Sequence, residues 1–174
     1  MRYTVSIAAL AATLVAATPA MAASTATATA NARGIVLKSL SLSSSSDLDF
    51  GVVAADATTA GTVSVDATSG LQATTGGVVA LPGAFSRAQF DGLGDPNASV
   101  GVTLAQPTGG VICSGGAGCP FSIPAALSLD SGGATRTADG LGRFTVYVGG
   151  TFNIAANQQN GTYSSQFSLT ANYP

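Results

Sequence analysis

The sequence predicts an all-β chain, an antiparallel β-sandwich with nearly no helix once its first 22 residues are set aside. Three observations predict it. Short runs alternate apolar and polar side chains with the two-residue period of a half-buried strand, as in Ser99-Val-Gly-Val-Thr-Leu104 and Phe167-Ser-Leu-Thr-Ala-Asn-Tyr173. Gly, Pro, Asp and Asn punctuate the gaps, at Gly76-Gly77, Pro82-Gly83, Gly94-Asp-Pro-Asn97, Gly132-Gly133 and Asp139-Gly140. Beyond the N-terminal region, no segment of a dozen residues carries a helical stripe.

In chain order, Met1-Arg2 is a short positive start, residues 5–15 are an apolar run, and Ala20-Met-Ala22 is a small-residue cleavage site. Residues 1–22 are therefore expected to be a secretory signal peptide. The apolar run is too short to span a bilayer comfortably, and no later stretch is long enough. The mature chain is expected to pass through the periplasm to the cell surface or beyond, and not to be transmembrane. About 150 residues remain, enough for one domain with its own core. Residues 23–33 read as an extended N-terminal arm and 34–174 as the sandwich. Within the arm Ala26, Ala28, Ala30 and Ala32 face one way, and Thr25, Thr27, Thr29 and Asn31 the other. That pattern suits a frayed low-complexity tail, or equally an extended strand laid into a groove with its small residues inward. A bulkier inserting segment would begin at residues 35–42.

Residues 35–42 read as a strand, and the serines at 43–46 as a loop or bend. Residues 47–53 alternate again, with Leu48 and Phe50 inward. Strands are expected at 61–66, 71–75, 78–81, 88–90, 99–104, 121–123, 127–129, 142–148 and 151–154. Gly149-Gly150, between the last two, fits a tight hairpin or a strand bulge. Gly161 opens the final strand, whose inward residues are Phe167, Leu169, Ala171 and Tyr173. A chain that stops one residue later has nothing left to cover that strand's far edge.

Composition narrows the chemistry. Only 8% of residues are charged and the chain has no His, Trp or Glu, but 46% hydrophobic residues separate it from disordered sequences. Arg33, Lys38, Arg87, Arg136 and Arg143 stand against eight aspartates, which leaves no basic footprint for nucleic acid. Without His or Glu the general bases reduce to Asp, so a Ser–His–Asp arrangement cannot be built and no enzymatic role is expected. Asp47 and Asp49 are spaced for paired carboxylates or a calcium site. Their alternation with Leu48 and Phe50 points them to water instead, so neither metal nor cofactor is expected. Cys113 and Cys119 flank Ser-Gly-Gly-Ala-Gly and read as one local disulfide, since two thiols without His are too few for a closed zinc site.

Gly161, the alternating Phe167, Leu169 and Ala171, and the penultimate Tyr173 together resemble the C-terminal signature of fimbrial subunits (pilins) of the chaperone–usher pathway. Asp47-Leu-Asp-Phe-Gly51, Val148-Gly-Gly-Thr151, Asn157-Gln158 and Gly161-Thr-Tyr163 are similar to a secreted bacterial family catalogued as domain of unknown function 4402. That similarity spans nearly the whole mature chain but carries little biochemistry. The pilin resemblance implies more: an immunoglobulin-like sandwich whose last strand is presented to a periplasmic chaperone and then pairs with a neighbour's N-terminal extension. It implies an outer-membrane usher, a homo- or hetero-polymer with sister subunits, Gly161, Phe167, Leu169, Ala171 and Tyr173 as the subunit- and chaperone-facing strand, and the 26–32 arm as donor. The competing expectation is a self-sufficient secreted adhesin or binding module whose sheet is complete.

Overall fold

A computed structural model describes residues 25–107, 111–114 and 121–174, with the backbone alone at 111–114 and 121–124. The chain divides into two units between Ile35 and Val36. In the first, residues 25–35 form neither strand nor helix and their side chains are exposed. The second is all-β and antiparallel. Its strands are β1 (Ser41–Ser46), β2 (Val53–Ala55), β3 (Gly61–Val65), β4 (Gln72–Gly76), β5 (Val78–Ala80), β6 (Ala88–Leu93), β7 (Ser99–Ala105), β8 (Val111–Ser114), β9 (Phe121–Leu129), β10 (Thr135–Thr137), β11 (Arg143–Ile154) and β12 (Ser168–Asn172). Among the described residues no helix is long and apolar enough to cross a membrane.

The twelve-residue β11 is the spine. Val148 pairs both Ala88 of β6 and Leu129 of β9, so those strands lie on opposite edges of β11. Gly150 pairs both Val65 of β3 and Leu127 of β9, which puts β3 on the same edge as β6. One edge of β11 thus passes from β6 to β3 at Gly149-Gly150, and the large sheet runs β1-β6-β11-β3-β4 with β9 and β8 on the other edge. A three-stranded sheet, β10-β7-β12, covers its first half. Val100 and Val102 of β7, with the half-buried Leu169 and Ala171 of β12, close over Phe144 and Val146 of β11. The sandwich expected from the alternation is the fold observed.

Several local expectations are corrected. Gly149-Gly150 forms neither a hairpin nor a bulge, because β11 runs straight through it. The glycines serve close approach: a β-carbon on Gly149 would overlap the Val65 carbonyl oxygen and the Ala67 amide nitrogen, and one on Gly150 would stand 2.6 Å from Leu127 Cδ2. The serines at 43–46 are a strand and not a loop, while residues 35–40 form none. As an edge strand β1 needs no apolar outer face, and the Ser43 and Ser45 hydroxyls donate to the Asp91 carbonyl (3.3 Å) and to its carboxylate. Residues 121–123 and 127–129 belong to one strand, β9.

Turns are held by aspartates. Asp66 accepts from the Ser69 and Thr68 amides (2.6 and 3.1 Å), Asp56 from Thr58 and Thr59 (both 2.8 Å), and Asp139 from Leu141 and Arg143 (both 2.8 Å). Bonds to the Thr58, Ser69 and Arg143 amides hold the carboxyls of Asp56, Asp66 and Asp139 below their ordinary range. The Ser45 and Thr145 hydroxyls do the same for Asp91. A carboxyl with a lower pKa folded than unfolded stabilises the fold above its unfolded value, about 4, and loses that contribution as pH falls through the folded one. With no His or Glu in the chain, the melting temperature is expected to be flat from about pH 5 to about pH 8 and to drop below about pH 4. A transition centred near neutrality would contradict this.

Candidate functional site

The chain leaves β1 along residues 47–52, which form no strand beyond a single bridge between Asp49 and Ser86. Leu48 and Phe50 turn inward, as the alternation predicts, and the Phe50 ring meets Phe152 edge-on with centroids 4.6 Å apart. Gly51, at φ +76°, then redirects the backbone into β2, and the Asp49 carboxylate accepts its N–H (2.7 Å). Gln72 fixes the bend from outside by donating Nε2 to the Phe50 carbonyl (2.6 Å). This makes one wall, residues 48–55.

Residues 158–167 make the facing wall. Tyr163 is half-buried against the core, donates its hydroxyl to the Gln159 carbonyl (2.7 Å) and accepts from Gln158 Nε2 (2.8 Å). Asn157, in the left-handed region at φ +53°, donates its amide to the Asp56 carbonyl (2.8 Å) and joins the two walls at that end. Between them lies a groove of about 670 Å³ floored by Leu127, Phe152 and Ile154. All of these lining residues belong to the Val36–Pro174 unit.

The first wall presents a strand edge to the groove. β2 pairs β5 as Val53↔Ala80, Ala54↔Val79 and Ala55↔Val78. Leu81 N–H donates to the Val52 carbonyl (2.8 Å) and Asp56 N–H to that of Gly77 (3.0 Å). The groups at Val52 and Ala54 and the Asp56 N–H therefore point to β5, while the Asp56 carbonyl takes the Asn157 amide. By the ladder's alternation the groups of Val53 and Ala55 point away from β5, on the side where both residues line the groove. Among the described residues they have no backbone partner there. β12 pairs β7 and β1 pairs β6, each by one edge, and among the described strands neither has a second partner.

The predicted site residues divide. Phe167 sits at the groove and packs edge-on to Phe90 at 5.9 Å between centroids. Gly161 lies in the second wall, exposed, and does not open the last strand, which begins at Ser168. Leu169, Ala171 and Tyr173 are half-buried in the core between the sheets. Ala26, Ala28, Ala30 and Ala32 lie in the separate N-terminal unit. Cys119, and the side chain of Cys113, fall outside the described residues. Asp47 and Asp49 are exposed, with Asp49 engaged by the Gly51 turn. Sequence reasoning missed Tyr163 and the role of residues 50–55, although the inward Phe50 was a signal for the second.

Tyr173 is more than an edge aromatic. Its hydroxyl accepts the Asp95 amide (2.7 Å) and donates to the Lys38 carbonyl (3.0 Å). A β-carbon on Gly94 would stand 2.7 Å from that oxygen, so a larger residue there would displace the hydroxyl from its two bonds. Removing the hydroxyl leaves a backbone donor and an acceptor without their partner. Tyr173→Phe is expected to lower unfolding stability by about 1 kcal/mol, the smaller end of such losses because the site is part-exposed; urea denaturation reads it, and an unchanged midpoint would deny the clamp.

Compared with known proteins, no curated protein and no solved structure matches the chain. A family model, described as Domain of unknown function (DUF4402), matches residues 40–173, which takes in both walls of the groove and the last strand. The chain therefore belongs to the DUF4402 family.

Proposed function

We propose that the protein is a structural subunit of a bacterial surface fibre, polymerised by donor-strand complementation. The observation that carries this reading is the groove with an apolar floor and the unpartnered groups of Val53 and Ala55 on its rim. An open strand edge beside an apolar floor is a template for an added extended strand, which supplies ladder bonds to the edge and alternate side chains to the floor. The N-terminal arm of another copy is that strand, with Ala26, Ala28, Ala30 and Ala32 directed to the floor. Donation from copy to copy does not close on itself and builds a fibre. The chain is exported behind residues 1–22, reaches an outer-membrane usher on a periplasmic pilus chaperone that occupies the groove in the interim, and carries a Cys113–Cys119 disulfide. Its role is structural, not catalytic.

A second reading, a self-sufficient adhesin or binding module, has one observation in its favour: Gln158, Gln159, Asn160 and Thr162 give the groove an amide- and hydroxyl-rich lip suited to a polar ligand. Periplasmic expression with and without a pilus-type chaperone separates the two. The subunit reading expects a large gain in soluble protein, with chaperone and chain co-purifying. Equal yields of stable monomer would remove it.

A further inference from the structure

The small β2–β5 sheet is apolar on both faces. Its register puts Val53 and Val78 on the inner side, where they join the core around Phe152. The outer side carries Ala54 opposite Val79 and, one step along, Val52 opposite Leu81. Phe85 adjoins it through Gly51, and Gly83 lies against Val52. Val52, Val79, Leu81 and Phe85 are between 42% and 59% exposed. An antiparallel sheet with one solvated face ordinarily carries polar side chains there, and contiguous exposed apolar surface marks contact sites. Val52 lines the groove as well, so this patch begins where the groove's wall ends.

Among the described residues, Ile35-Val36-Leu37 is a further run of exposed large aliphatics, in which Ile35 is 73% and Val36 95% exposed. Arg33 and Lys38 bracket that run, and Asp49 and Asp56 bracket residues 50–55 of the groove wall. The apolar surfaces carry no charge and their flanks carry opposite charges.

We propose that the outer face of β2–β5 seats the Ile35-Val36-Leu37 segment of a second copy of this chain. The proposal rests on the donor-strand reading and adds a second contact to it. Distances agree: Ile35 follows Ala32 by three residues, about 10 Å of extended chain. Two strand spacings of about 4.8 Å lead from a strand in the groove across β2 to β5. An arm whose alanines lie in the groove, and which turns across β2 after Ala32, therefore has the length to carry its aliphatic root over Val52 to Val79 and Leu81. The small alanines set the register and the root supplies apolar area that the alanine stripe lacks.

Singly substituted full-length mature chains test it. Val36→Cys chains mixed with Leu81→Cys chains under mild oxidation are expected to form a covalent dimer at least about tenfold faster than Val36→Cys with Leu141→Cys, because docking raises the local thiol concentration. Leu141 is a comparably exposed control. Polymerisation of the unsubstituted chain is followed alongside. Equal cross-linking rates while the unsubstituted chain polymerises would overturn the seat and leave the donor strand standing. No polymerisation at all would overturn both. A Val36→Cys/Leu81→Cys chain that links only within itself would show its own segment to be the occupant, and would also overturn the proposal. As a second variant, Val79→Thr/Leu81→Thr, placed on the solvent face, is expected to yield polymers that dissociate at lower denaturant.

Discussion

Replacing Gly149 by valine is expected to leave no cooperatively folded domain. At this position β11 exchanges β6 for β3 along one edge while β9 stays on the other, so backbone approaches from both sides. A β-carbon would overlap the Val65 carbonyl oxygen and the Ala67 amide nitrogen, which are backbone atoms and cannot swing aside. The strands would have to separate at the point where three core clusters share β11, through Phe144, Val148 and Phe152. A loss above about 4 kcal/mol is in the range of the most severe single substitutions and takes most of the roughly 5–15 kcal/mol of a typical domain. The control is Gly140→Val, where a β-carbon would meet nothing within 4 Å. It should remain within about 0.5 kcal/mol of the parent. Guanidinium denaturation of both variants, or soluble yield where the first cannot be isolated, decides it, and a parent-like midpoint for Gly149→Val would refute the crossing.

Deleting residues 23–33 is expected to abolish polymerisation while the sandwich folds and binds chaperone as before. The groove belongs wholly to the Val36–Pro174 unit, so the deletion removes the donor and leaves the acceptor. A gentler variant is Ala28→Pro/Thr29→Pro. Successive N–H groups on a strand point to opposite sides, so one of the two lost donors must face the Val53 and Ala55 edge. A synthetic peptide of residues 23–33, added to the truncated chain at a hundredfold excess over its Kd, should stabilise it by about 2.7 kcal/mol. For a domain of this size that is a rise of roughly 10 °C in melting temperature. Fibres from the truncated chain, or no thermal shift with peptide, would count against donation.

Much of the fold was legible because strands advertise themselves locally. Val100 and Val102, or Leu169 and Ala171, alternate with polar neighbours, and the structure puts each of them inward. Legibility failed where the reason for a residue lies far away along the chain. After Leu42 the serines of β1 show no apolar alternation, and their strand character comes from the ladder with β6 and the bonds of Ser43 and Ser45 to Asp91. Gly149 and Gly150 resemble turn residues in sequence, and only the approach of Val65, Ala67 and Leu127 shows why they must be small. The groove divides in the same way. Phe167 could be placed at a strand edge from its own neighbourhood, but that residues 48–55 would face it depends on which edges the topology brings together.

The hydroxyl of Tyr173 also decides how the domain meets a mechanical load. Tension applied through the segment that precedes β1 arrives first at Lys38, whose carbonyl is tethered to the penultimate residue and whose amide reaches the Asp95 carboxylate at 3.4 Å. Without those anchors the pull would unzip Ser41–Ser46 from its neighbour one bond at a time. With them the first load is shared with β12 and the Asp95 turn, and the ladder of Ser41–Ser46 is reached only after both bonds break.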